Sequence, residues 1–61
     1  MKKSVREKLK SLIHKYESEI ELLEFDEDEA IERRDFIAAS KIQSKRFQLK
    51  QVVIDLKNLL E

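Results

Sequence analysis

The sequence predicts an all-α protein, an antiparallel two-helix hairpin with coiled-coil-like packing, and three observations support this fold class. The 61 residues include no Gly and no Pro, and most of the polar residues are good helix formers. Apolar residues recur at alternating spacings of three and four, which is a helical period and not the period of two of a strand. This apolar seam changes phase once near mid-chain, where one straight helix would rotate its apolar face away.

The first helix is predicted over about residues 3–33. Its apolar seam has the alternating spacing throughout and consists of Leu9, Ile13, Tyr16, Ile20 and Leu23. Glu27 and Ala30 continue the seam, and Val5 and Leu12 widen it.

The chain reversal has two candidate positions. At residues 33–36, Arg34 and Asp35 form the turn, and the Asp35 carboxylate can cap the N-terminus of the next helix. At residues 24–27, Asp26 and Glu29 have the spacing of a capping box, and the acids there suit a helix N-terminus. The first position is favoured because it brings apolar residues of the two helices level in four layers.

The second helix is predicted over about residues 36–60, so that residues 1–61 form a single hairpin. Its hairpin-core residues are Ile42, Leu49, Val53, Leu56 and Leu60. Ala39 and Arg46 complete this seam, and Ala38, Val52 and Leu59 lie beside it. A turn near Arg34 brings Leu49 level with Ile20 and Leu56 level with Ile13.

The charges are arranged in blocks, although 13 Lys and Arg balance 13 Asp and Glu. Residues 17–32 carry nine acids and no base, and folding at the turn lays them along the basic residues 33–50. In that arrangement Glu24 is level with Lys45 and Asp28 with Lys41. Ion pairs between these blocks would favour the antiparallel register of the two helices. The alternative is that the charged residues form a solvated face that has no role in the register.

A second apolar stripe lies away from the seam. On a helical wheel Phe36, Phe47 and Ile54 fall about 140–160° from Leu49, and Leu22 and Phe25 are also off the seam of the first helix. A two-helix hairpin covers one stripe per helix, so we expect these five residues to bind a partner protein or a second copy. A homo-oligomer, with a dimer favoured, would associate into a helical bundle. The alternative is that they are isolated exposed apolar residues.

Catalysis, cofactors and metals are not expected. The absence of Cys excludes thiolate chemistry, and the absence of Gly excludes glycine-rich phosphate loops. His14 is the single histidine and is interpreted as a surface residue. No apolar run approaches the roughly 20 residues of a membrane span, so a cytoplasmic protein is expected.

Residues 35–43 resemble the second helix of UVR motifs, short helical hairpins found at the end of the nucleotide-excision-repair helicase subunit and in adaptors of bacterial protein quality control. Asp35, Phe36, Ala39 and Ile42 match the pattern, whereas Gln43 and Ser44 stand where Arg-Asp is usual. The resemblance implies a protein-docking hairpin in which Phe36, Ala39 and Ile42 pack the turn. The chain also resembles small uncharacterised bacterial and phage helical hairpin proteins.

The function expected from the sequence is a noncatalytic protein–protein interaction module, such as a small regulator or inhibitor of a larger protein. One alternative is a nucleic-acid-associated protein that uses the basic N-terminal segment, whose bases are Lys2, Lys3, Arg6, Lys8 and Lys10. A net charge of zero makes this electrostatic footprint weak. A second alternative is a structural coiled-coil oligomer built from one long helix, which the phase change disfavours.

Overall fold

The structure, a computed structural model, describes residues 4–61 and folds them into two helices. Helix α1 covers Val5–Glu32 and helix α2 covers Phe36–Leu60, and the two pack against each other along their length. The hairpin measures 48 × 21 × 12 Å. The predicted all-α hairpin is therefore confirmed, and the alternative of one continuous helix is wrong. The expected start of the first helix near residue 3 lies outside the described residues.

Helix α1 begins at a capped N-terminus. The Ser4 hydroxyl accepts a hydrogen bond from the backbone N–H of Glu7 at 3.2 Å, which satisfies one of the free N–H groups of the first turn. The last turn of α1 contains no basic residue, so its acids face the negative end of the helix dipole.

The turn has the hydrogen bonds of a Schellman motif. The N–H of Asp35 donates to the carbonyl of Ala30 at 2.8 Å, and the N–H of Arg34 donates to the carbonyl of Ile31 at 2.9 Å. Arg34 takes the left-handed conformation that this motif requires, with φ of 60°. Glycine usually fills this position because a side chain is disfavoured at positive φ. The chain therefore reverses within three residues without using a glycine.

Asp35 caps the start of α2. Its Oδ1 accepts from the N–H of Ala38 at 3.1 Å, and its carbonyl accepts from the N–H of Ala39 at 3.0 Å. The alternative turn at residues 24–27 is wrong, because those residues lie inside α1. The capping spacing there was real, but a cap forms only where the helix actually starts.

The core is a single line of side chains between the two helices. Ile13, Ile20 and Val53 are buried, and they are flanked by partly buried side chains of Tyr16, Leu49, Leu56 and Leu60. Leu9, Leu23 and Ile42 are half-buried in the same seam. Nearer the turn the seam narrows to Ala30 and Ala39, and Ala30 is fully buried. Alanine suits that position because helices joined by a tight turn leave space only for small side chains.

Candidate interaction surface

One layer of the seam is polar. Arg46 and Glu27 occupy seam positions, with side chains that are 21% and 16% exposed. The Nε of Arg46 donates to Glu27 Oε1 at 3.1 Å, and a terminal guanidinium nitrogen lies 3.0 Å from the same oxygen. A planar guanidinium held at two nitrogens fixes the axial position of one helix against the other. This layer therefore specifies the register of the hairpin.

Further ion pairs connect the helices on one side of the seam, which we call the ion-pair side. Glu24 lies 3.7 Å from Arg46 and 3.9 Å from Lys50, and Glu17 lies 3.3 Å from Lys57. These side chains are about half exposed apart from that of Arg46, so each pair contributes about 0–1 kcal/mol.

The charge pairs expected from the sequence were wrong in detail. Glu24 pairs with Arg46 and Lys50 in place of Lys45, and the ion pairs among residues 4–61 do not include Asp28 with Lys41. Equal height along the hairpin was the only criterion for those expectations. A helical wheel places Lys45 and Lys41 on the opposite side of the seam from Arg46 and Lys50, away from Glu24 and Asp28.

The apolar residues expected to bind a partner are all exposed. On α2, Phe36, Phe47 and Ile54 are 65%, 70% and 50% exposed, and they share one side of the helix, which we call the α2 stripe. On α1, Leu22 and Phe25 are also well exposed, but the wheel places them on the outer surface of α1, away from the α2 stripe. The structure thus unites three of the five residues and separates the other two.

A shallow depression borders the α2 stripe on the ion-pair side. Its floor is apolar, and its rim carries opposite charges from the two helices; the lining residues are Glu17, Ile20, Glu21, Glu24, Lys50, Val53 and Ile54. The depression is open to solvent along the hairpin. Such a surface can receive a side chain from a docked helix, and its rim can form hydrogen bonds with that helix.

Sequence reasoning missed a second exposed apolar edge. Leu12, Val52 and Leu59 lie beside the seam on the side opposite the ion pairs, and the structure leaves them 38%, 40% and 70% exposed. The sequence predicts that Leu12 widens the seam of α1 and that Val52 and Leu59 lie beside the seam of α2. Their positions on the helical wheel, about 40–80° from the seam, could have indicated this exposure. A single facing helix covers only the seam and leaves residues at such angles in contact with solvent.

The UVR resemblance implied that Phe36, Ala39 and Ile42 pack the turn. Ala39 is buried and Ile42 is half-buried in the seam, but Phe36 is mostly exposed. That implication is therefore wrong for Phe36, because the first residue of α2 lies on the side of the helix turned away from α1.

The basic N-terminal segment is described only in part. Lys2 and Lys3 lie outside the described residues, and Arg6, Lys8 and Lys10 are exposed on α1. Because residues two apart differ by about 200° around a helix, these three bases do not form one continuous face.

Within residues 4–61, no group of three or more His, Cys, Asp or Glu side chains is placed to hold a metal ion. Neither described helix is long and apolar enough to cross a membrane. Comparison with protein-family models, curated proteins and solved structures finds no match to this chain.

Proposed function

We propose that this chain is a noncatalytic protein-interaction module that docks through the α2 stripe. The observation that carries the proposal is that Phe36, Phe47 and Ile54 align on one side of α2 and are each at least half exposed. Aromatic and large aliphatic side chains are the usual anchors of helix-mediated interfaces, because each buries a large apolar area without losing a hydrogen bond.

The thin core supports the same proposal. Five apolar side chains are buried among the described residues, and two of them are alanines. A single core in a chain of this size stabilises the fold by only a few kcal/mol, and such chains commonly gain stability by association. Fully burying a side chain such as Phe47 or Ile54 contributes about 1.5–3 kcal/mol.

The proposed biological role is that of a small regulator or inhibitor. It would act by covering part of a larger protein or of a second copy of this chain. It requires no cofactor, because docking uses apolar contacts and surface charge. The proposal also places the protein in the cytoplasm, which agrees with a chain that has no cysteine for disulfide bonds.

The test compares two double variants that add the same charge to the same helix. Phe47→Glu with Ile54→Glu changes the α2 stripe, whereas Ile37→Glu with Leu59→Glu changes apolar residues elsewhere on α2 that are at least as exposed. Each protein is immobilised and used to retain binding proteins from a host extract, and helical circular dichroism verifies that it folds. We expect the stripe variant alone to lose the proteins that the wild type retains. Equal retention by the wild type and the stripe variant would count against docking of the α2 stripe onto another protein.

A further inference from the structure

We propose that the α2 stripe binds a second copy of this chain, with α2 packed antiparallel against α2 of the partner around a twofold axis between Lys50 and Gln51. This inference rests on the proposed function, because it assigns an occupant to the same surface. Three observations lead to it: the accessible area of the hairpin, the position of the stripe along the hairpin, and the distribution of charge between its two halves.

The hairpin exposes more surface than a compact monomer of its mass. Its accessible surface is 5257 Å² for a chain of 7.3 kDa. A folded monomer of that mass typically exposes roughly 4,200 Å², so the excess is about 1,100 Å². A stable interface buries about 800 Å² on each partner. One interface with a second copy would therefore bring this chain close to the surface area of an ordinary folded protein.

Two residues of the stripe, Phe47 and Ile54, lie near the midpoint of the hairpin. The ion pairs of Glu24 with Lys50 and Glu17 with Lys57 place residues 50–57 of α2 beside residues 17–24 of α1. Residue 19 is halfway between Ser4 and the turn at Arg34. By the same pairing residue 19 lies beside about residue 55, so Ile54 lies at the middle of the long axis and Phe47 lies about 12 Å from it toward the turn. An axis between Phe47 and Ile54 would overlap two copies over most of their length.

That axis also makes the contact self-complementary. It brings Phe47 against the partner's Ile54, and by symmetry Ile54 against the partner's Phe47. The stripe therefore supplies both halves of an isologous contact.

Charge selects the antiparallel orientation. The turn half of the hairpin, residues 17–50, has ten acids and six bases and a net charge of −4. The described part of the open half, residues 4–16 and 51–61, has five bases and three acids and a net charge of +2. Lys2 and Lys3 precede it in the sequence. An antiparallel pair lays each turn half beside an open half of opposite charge, whereas a parallel pair lays two acidic halves together.

The first measurement is the mass in solution by sedimentation equilibrium over a range of protein concentrations. We expect the wild type to reach twice the 7.3 kDa chain mass. The Phe47→Glu, Ile54→Glu variant should raise the dissociation constant at least about 100-fold, because it places four carboxylates around the axis. The Ile37→Glu, Leu59→Glu variant should remain a dimer. A monomeric wild type, or a dimer that persists in the stripe variant, overturns the inference.

The second measurement tests the orientation and uses the absence of native cysteine. Ser40 and Glu61 are equally far from the axis, on opposite sides of it. Ser40→Cys and Glu61→Cys chains are mixed and oxidised, and Ser40→Cys chains are oxidised alone as the reference. If the pair is antiparallel, the yield of the disulfide between residues 40 and 61 in the mixture should be at least about tenfold the yield of the 40–40 disulfide in the reference. Preferential self-linking of the Ser40→Cys chain would show parallel pairing and overturn the inference.

The two proposals fail in different ways. If the wild type is monomeric but the stripe variant still loses a retained protein, the inference is wrong and the proposed function stands. If neither self-association nor partner retention responds to the stripe variant, both are wrong. Raising the salt concentration provides a further check, because the opposite charges of the two halves should make the dimer weaker at high salt.

Discussion

The polar layer formed by Arg46 and Glu27 makes the sharpest prediction about stability. Both side chains are about four-fifths buried, which places the pair between a surface ion pair and a buried one. Surface pairs contribute about 0–1 kcal/mol, and breaking a buried pair costs about 3–5 kcal/mol. We therefore expect Arg46→Met to lower the free energy of unfolding by about 2 kcal/mol, since Glu27 keeps its charge and loses the hydrogen bonds from Arg46.

Replacing both partners should have the opposite outcome. In the double variant Glu27→Leu, Arg46→Leu, no charge is left without a partner in the seam, and two leucines extend the apolar core. Exchanges of this kind are commonly neutral or stabilising by about 1–4 kcal/mol. We expect the double variant to be at least as stable as the wild type and to specify its register less strictly.

The assay is urea unfolding followed by helical circular dichroism, at one protein concentration because association would add to the apparent stability. The matched control is Lys57→Met, which breaks the half-exposed pair with Glu17 and should cost less than about 1 kcal/mol. If Arg46→Met costs no more than Lys57→Met, the seam position of the pair has no energetic consequence. A double leucine variant that is clearly less stable than Arg46→Met would also refute the reasoning.

The remaining predictions concern the turn and the core, and the same unfolding assay measures them. Arg34→Gly should stabilise the hairpin by about 1 kcal/mol, because glycine adopts positive φ without the penalty of a side chain; a loss of stability would contradict the Schellman assignment. Asp35→Ala should cost about 1 kcal/mol through loss of the cap on Ala38, and Asp35→Asn should recover most of it. Ile20→Ala should cost about 2–3 kcal/mol, near the lower end for a core isoleucine because the core is one layer deep. An Ile20→Ala cost below that of Asp35→Ala would show that the seam is not the main source of stability.

The sequence by itself determined the two helices and the seam, and it favoured the reversal near Arg34 over the one at residues 24–27. The seam is a local property, because the three-and-four spacing defines one face on each helix. Local capping signals were present at both turn positions, so the preference for Arg34 came from the pairing of apolar residues between the helices. The exposed α2 stripe could be found in the same way, because Phe36, Phe47 and Ile54 share a wheel position that one facing helix cannot cover.

Only the tertiary structure decided how the two helices are rotated against each other. That rotation places Glu24 beside Arg46 and Lys50 and leaves Lys45 on the opposite side of the seam. It also exposes the edge of Leu12 and Leu59. A helix's own periodicity contains no information about the rotation of its neighbour. The rotation results from the fit of all seam side chains together, including the contact between Arg46 and Glu27, and that fit exists only once both helices are packed.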